Sequence, residues 1–317
     1  MASPNSSFTE MAVLSLQGYS KVLADNVTNH NSLLRYIDKK GNKKTATGRT
    51  IVQELEFATN STVKWYAGYE NLDVSAQEVF SAAEFNYKQL NGNVVFSGLE
   101  QMQNAGKEAI HNLVKSRIKN LERSLKNTMA TALFADGTGT SSKELGGLQH
   151  IVQDAGAGTV GGINSTTYTW WKNQIYDFST SSVTAGADTI QSAMNQLWLL
   201  CVRGADRPDF IVADTNYYRY YWESLLPNQR FNSAEKASAG FMTLMFQEAP
   251  VFFDDQCPAN HMYFLNTDFL FLRPAEGRDF VPLGERVSVN QDATVIPMVW
   301  GGNMTTNGRQ FHGVIVA

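Results

Sequence analysis

The chain has 317 residues, 43% hydrophobic and 18% charged, and a formal net charge of −4. That composition supports one large or two ordinary folded domains and excludes a wholly disordered chain. A protein that grips nucleic acid through its own surface is normally basic, so any nucleic acid here is expected to be enclosed rather than read.

The first ~20 residues, beginning MASPNSSFTE, are polar, lack the basic and apolar regions of a signal peptide, and read as a loose arm. Residues 20–38 place Val22, Leu23, Val27, Leu33, Leu34 and Ile37 in a modest helical pattern. It ends at the basic turn Lys39-Lys40-Gly41-Asn42-Lys43-Lys44. From 50 to 97 the period changes to two. Leu55 and Phe57 alternate with Glu54 and Glu56, and Val79, Ser81, Ala83, Phe85 and Tyr87 alternate with Glu84, Asn86 and Lys88. This predicts two long antiparallel arms, about 50 Å each, joined through Glu70 to Ser75. A ribbon that long is marginal in water alone, so it must lean on its own domain or on another subunit.

Ser97 to about Phe134 carries the strongest helical signal. Leu99, Ile110, Leu121 and Ala132 recur every eleven residues, the pitch of a nearly straight helix, whereas a heptad seam lands on Ser116 and Asn120. Ser97 with Glu100 makes a capping box, and Asp136-Gly137 ends the run. Such a helix is about 55 Å long, against a radius of gyration of about 20 Å for a compact chain of this size. A long helix beside a long hairpin predicts a flat, tile-like subunit.

Glycine- and threonine-rich loops at 136–166 surround a short segment, Leu148 to Val152. Residues 186–203 form an amphipathic helix with Ile190, Ala193, Met194, Leu197, Trp198 and Cys201 inward. A strand at Asp209–Ala213 follows, then an aromatic helix from Asn216 that stops at Pro227, then strands at 241–247, 250–254 and 262–272. Ala293–Trp300 and Phe311–Val316 are β runs bracketing a polar turn at Gly301–Gln310.

No chemical motif survives inspection. Gly156, Gly158 and Gly161 match G-x-G-x-x-G but run into loop-forming, β-prone sequence instead of opening a helix. The five histidines have no metal-ligand spacing, and Asp209, Asp214, Asp254 and Asp255 read as turn residues. Cys201 and Cys257 suit a reduced cytoplasmic chain and read as small buried hydrophobes. The longest apolar stretch, around Leu197–Val202, is too short to cross a bilayer. No cofactor, metal or catalytic residue is expected.

The order of parts is more specific than any motif: arm, β hairpin, long helix, α/β unit, returning β segments. Gly48-Arg49-Thr50-Ile51-Val52-Gln53-Glu54-Leu55-Glu56, Ser97-Gly98-Leu99-Glu100, Asp136-Gly137-Thr138-Gly139, Gly146-Gly147-Leu148, Asn266-Thr267-Asp268 and Ile296 to Asn303 carry the likeness. Together they resemble the major capsid proteins of tailed bacteriophages, of the Hong Kong 97 type. The resemblance implies an α+β capsid fold with an N-terminal arm and the start of the peripheral domain at 1–49. It implies an extended loop at 50–96, a peripheral domain with its spine helix at 97–185, an axial domain at 186–280, and C-terminal segments at 281–317 returning to the peripheral domain. It implies a non-enzymatic chain that self-assembles as hexamers and pentamers around double-stranded DNA, without sequence recognition and without a membrane. The shell would be put together in the host cytoplasm with portal, scaffold and decoration proteins as partners.

With about 96 residues ahead of the spine helix, a scaffolding segment fused to the N-terminus is not expected. Lys64 and Lys88 lie in the loop that some relatives cross-link, but no matching residue set accompanies them. Phe57, Trp65, Tyr66, Tyr69 and Phe85 are the expected contacts with a neighbouring subunit. Two rival readings are an encapsulin-type compartment with the same fold, and a nucleotide-dependent α/β enzyme using 186–280, against which the missing phosphate loop counts.

Overall fold

The computed structural model describes residues 32–103, 107–229, 244–287 and 290–317. The expected N-terminal arm, the first part of the 20–38 helix and the start of the 241–247 strand lie outside the described residues. Helix α1 (Ser32–Lys40) buries Leu33 and Ile37, one turn apart, and Gly41 ends it in a left-handed conformation (φ 73°).

Strand β1 (Ile51–Glu56) pairs antiparallel with β2 (Phe80–Phe85), Ile51 opposite Phe85 and Glu56 opposite Phe80. The hairpin is therefore six residues a side, about 20 Å, not about 50 Å. Beyond the bond from the Phe57 N–H to the Val79 carbonyl (3.0 Å), the segment between the strands carries no further strand. The rest of the expected second arm, β3 (Lys88–Ser97), belongs to another sheet. Period-two alternation defines which face a residue takes but not which strand it pairs with.

The buried face of this hairpin packs inside its own subunit: Ile51, Leu55, Ala83 and Phe85 meet Ala46, Val160 and Trp171.

The long helix is described as α2 (Gly98–Gln103) and α3 (Lys107–Phe134). Its start is the predicted capping box. Ser97 Oγ accepts from the Glu100 N–H (3.2 Å), and Glu100 Oε2 accepts from the Ser97 N–H (3.1 Å). Arg117 grips the same carboxylate with both terminal nitrogens (3.1 and 3.0 Å), so hydrogen bonding from Arg117 holds the Glu100 carboxyl below its ordinary range.

After α3 the chain turns through Thr140, Ser141 and Ser142, all left-handed (φ 48°, 57° and 62°). It then presses Gly147 against the end of the helix. A Cβ there would lie 2.3 Å from the Ala132 carbonyl oxygen, so only glycine fits. The short helix α4 (Leu148–Ile151) follows, then β4 (Thr159–Val160) and β5 (Ile163–Asn164). Gly161 and Gly162 join those two strands with positive φ (59° and 79°), as a tight two-residue hairpin requires. The Glu84 N–H donates to the Gly161 carbonyl (3.0 Å) and docks this hairpin on β2.

The remaining elements are β6 (Gln174–Asp177), α5 (Ala187–Cys201), β7 (Phe210–Ala213), α6 (Thr215–Gln229), β8 (Leu244–Phe246), β9 (Ala249–Phe253) and β10 (Met262–Leu265). Then come β11 (Leu270–Pro274), β12 (Val281–Pro282), β13 (Arg286–Val287), β14 (Ala293–Thr306) and β15 (Gly313–Val316).

A six-stranded mixed sheet runs β6-β15-β10-β7-β9-β8. One face, with Ile211, Ala213, Met262, Phe264 and Ile315, packs on the predicted inward stripe of α5: Ile190, Ala193, Met194, Leu197, Trp198 and Cys201. The other face, with Phe210, Val212, Tyr263, Leu265, Val314 and Val316, meets α1, the end of α3, and α4. Burial on both faces is why β7, β10 and β15 read as continuous apolar runs rather than alternating ones.

The second sheet is organised on β14. Its first ten residues pair with β3, from Ala293 opposite Ser97 to Gly302 opposite Lys88, and its last five with β11.

Three expectations are corrected here. The strand expected at 262–272 is two strands in two sheets, divided by a turn at Thr267–Phe269 that Asn266 caps by accepting from the Asp268 N–H (3.1 Å). The expected turn at 301–310 starts only after Thr306, because Gly301 and Gly302 continue β14. Helix α6 runs through Pro227 to Gln229 instead of stopping at the proline.

The final strand inserts into the six-stranded sheet, where Val314 and Val316 share a core with Met129, Leu133 and Phe134 of α3. The turn before it carries the fully buried Arg309. Its guanidinium donates to the Ile151 and Trp171 carbonyls (2.7 and 3.0 Å) and to Asn173 Oδ1 (2.9 Å).

Candidate assembly surface

The aspartates that could be drawn from sequence as a carboxylate cluster serve as structural staples. Asp209 accepts from the Thr267 N–H (2.7 Å) and hydroxyl (2.6 Å) and pairs with Lys40. Asp214 caps α6 through the Tyr217 N–H (2.9 Å) and also accepts from the Asn260 N–H (2.8 Å). Asp254 caps α1. Among the described residues, no three His, Cys, Asp or Glu side chains converge on a metal position. Burial pushes the Cys201 thiol up to about 12 and the Cys257 thiol well above its ordinary range, which leaves both unreactive. The Gly156 to Gly161 motif lies in the loop leading to β4 and the turn after it, with no helix at its end.

The feature that stands out is the 57–79 loop. Its polar groups are satisfied locally: Ser61 bonds Gln77 (2.9 Å), Lys64 donates to the Asn71 carbonyl (3.0 Å), and Asp73 accepts from the Ser75 N–H (3.0 Å) and hydroxyl (2.8 Å). The bond from the Ser75 N–H, with its hydroxyl, holds the Asp73 carboxyl below the usual range. Its apolar groups, in contrast, face solvent. Trp65 is 100% and Tyr69 107% exposed, and Val63, Tyr66, Leu72 and Val74 join them. Large apolar groups gathered on one segment without a covering element mark an interaction surface.

Of the five predicted contact residues, Trp65, Tyr66 and Tyr69 lie together on this loop. Phe57 is half-buried at its base, stacked on Trp170 of the same chain (centroids 5.9 Å apart). Phe85 is only 4% exposed and belongs to the subunit's own core, because it takes the inward face of β2 opposite Ile51.

Sequence reasoning missed Val63, Leu72, Val74 and the neighbouring Phe80. It also missed a second group on the six-stranded unit: Leu199 and Leu200 on α5, Trp222 on α6 and Met245 on β8, all exposed. The signal was present in α5, where Leu199 and Leu200 fall outside the inward stripe that ends at Cys201.

No family model and no curated protein matches this sequence. Solved structures match over nearly its whole length. The capsid asymmetric unit of cyanophage A-1(L) is 14% identical, with a TM-score of 0.61, covering 94% of this chain and 95% of that one. The capsid of an empty GTA particle is 12% identical with a TM-score of 0.63, covering 93% and 99%. The holo-SrpI encapsulin complex from Synechococcus elongatus PCC 7942 is 8% identical with a TM-score of 0.55, covering 96% and 94%. The chain has the α+β fold of phage capsid proteins.

Proposed function

We propose that many copies of this chain assemble, as hexamers and pentamers, into the icosahedral head shell of a tailed bacteriophage. Double-stranded DNA would be enclosed without sequence recognition, and the chain's role would be structural rather than enzymatic. Scaffold, portal and decoration proteins would be further partners, with assembly in the host cytoplasm and residence in the virion. In this reading 50–96 is the extended loop, 97–185 the peripheral domain with the spine helix and 186–280 the axial domain.

The observation that carries the reading is the loop itself. Trp65, Tyr66 and Tyr69 stand fully or largely in water on a segment that has no core of its own. Each large aromatic covered by a neighbour would contribute about 1–3 kcal/mol, repeated at every contact of a shell.

Similarity to an encapsulin supports a second reading, a bacterial compartment with protein cargo. Electron microscopy of the expressed chain, with and without a co-expressed scaffold, tests the common part: closed particles are expected. A chain that stays monomeric under both conditions overturns it. Ultraviolet absorbance of native particles separates the two readings, since a DNA-filled shell absorbs as nucleic acid and a cargo-filled compartment as protein.

A further inference from the structure

The segment that follows α1 runs beside β11 as a short parallel edge. Bridges between Lys43 and Leu272 and between Ala46 and Ala275 fix its register, so Lys44 stands directly opposite Arg273. The Lys44 N–H donates to the Leu272 carbonyl (3.0 Å) and the Ala46 N–H to the Pro274 carbonyl (2.8 Å), which holds the two strands together. Two positive side chains are thus cross-strand neighbours, an arrangement that destabilises a sheet unless negative charge joins it.

Both cations lie on the same face, because both stand over the Phe271 ring. The Lys44 Nζ is 4.6 Å from its centroid and the Arg273 guanidinium carbon 5.3 Å. Other lysines of this basic turn have carboxylates: Lys40 pairs with Asp209 and Asp268, and Lys43 with Asp279 (2.6 Å). Among the described residues, neither Lys44 nor Arg273 pairs with one. Arg273 donates from one terminal nitrogen to Gln53 Oε1 (2.9 Å), while its Nε–H is buried without an acceptor. A ring face and an amide oxygen carry no net charge, so both positive charges stay uncompensated. Lys44 is exposed and Arg273 half-buried, which leaves the pair open to a ligand.

We propose that Lys44 and Arg273 form a binding site for a phosphate group, free or in the backbone of a nucleic acid. The guanidinium offers a planar fork held in place by Gln53, and the lysine adds a mobile point charge; a tetrahedral oxyanion accepts from both. Such a contact reads charge alone and carries no sequence recognition. The inference goes beyond the shell reading and does not rest on it, since both residues belong to one subunit.

Thermal melts of the unassembled full chain test it, in phosphate and in chloride at equal ionic strength and pH 7. Phosphate is expected to raise the melting temperature of the native chain by about 2–4 °C. Lys44→Glu sets a carboxylate opposite Arg273 at an exposed position. That variant should melt above the native chain in chloride and gain nothing further from phosphate, whereas Lys44→Arg should keep the response. No phosphate shift in the native chain, an equal shift in Lys44→Glu, or a lower melting temperature of Lys44→Glu in chloride overturns the proposal. A labelled duplex oligonucleotide then names the source of the phosphate in a chain that shows the shift. Binding at least fivefold weaker to Lys44→Glu assigns the site to a backbone phosphate, and equal binding or none assigns it to the free ion.

Discussion

Asp254 Oδ2 accepts hydrogen bonds from both the backbone N–H (2.8 Å) and the hydroxyl (2.7 Å) of Ser32, which lies 222 residues earlier in the chain. The same oxygen also reaches the Leu33 N–H (3.4 Å), so Asp254, just after β9, caps the first described turn of α1. Helix starts expose unpaired N–H groups that favour a carboxylate, and here both partners are buried. Replacing Asp254 with Ala should cost about 2 kcal/mol of subunit stability, and Ser32→Ala about 1 kcal/mol. The double variant should cost less than the two losses added together. Urea unfolding of the unassembled subunit measures all three, and simple additivity would show that the bond does not couple the two elements.

His312 predicts an acid-sensitive fold. Its Nδ1 accepts from the Asn266 N–H (3.3 Å), while Nε2 faces the Thr306 hydroxyl (3.3 Å). Burial, aided by the nearby positive charge of Arg309, pushes its pKa down to about 4 from the ordinary 6.5. The folded state thus holds fewer protons than the unfolded one between those values. Stability from this group is fully present above pH 6.5 and is lost as the pH falls toward 4, by about 3 kcal/mol in all. Thermal melts of native chain and His312→Gln should diverge at neutral pH and converge by pH 4.5. Parallel curves would rule out His312 as the source.

Arg309 should tolerate no replacement. Its three hydrogen bonds tie the final turn to α4, to Trp171 and to Asn173, in the buried interior. Arg309→Met removes the side-chain donor to two buried carbonyls and one of the two donors to Asn173 Oδ1, which keeps the Gln153 N–H (3.1 Å), a loss of about 3–5 kcal/mol. Arg309→Lys restores the charge but not the fork, and should recover less than half of that. Denaturant midpoints decide the order of the three proteins.

The loop and the hairpin that carries it should separate cleanly under deletion. Replacing residues 58–78 with a short glycine-containing turn removes exposed side chains apart from the half-buried Ala58 and Thr62, and keeps the Phe57–Val79 closure. That protein should melt as cooperatively as the native chain yet form no shells. Replacing Phe57 through Phe85 also removes Ala83 and Phe85 from the core they share with Ile51, Leu55 and Trp171. It should lower the melting temperature clearly. Normal shells from the first variant would mean the loop is not an assembly element. Unchanged melting in the second would mean this core contributes little.

The sequence by itself determined the local features, because each was written within a few residues. Ser97 and Glu100 specify a capping box wherever the helix lies. The spacing of Ile190, Ala193, Met194, Leu197, Trp198 and Cys201 defines one face of α5 before any partner is known. Alternation in β1 put Leu55 on the face opposite Glu54 and Glu56, and Leu55 is buried. Tertiary structure alone decided the partners. Nothing local tells β3 to leave the hairpin for β14, divides 262–272 between two sheets, or sends Asp254 to Ser32. Strand pairing and buried polar bonds are satisfied by whichever complementary group the rest of the fold brings near, and that choice depends on the whole chain packing at once. The same dependence put Phe85 in the core and left Trp65 outside it: both are aromatic residues of one sequence segment, but only one has a core beneath it.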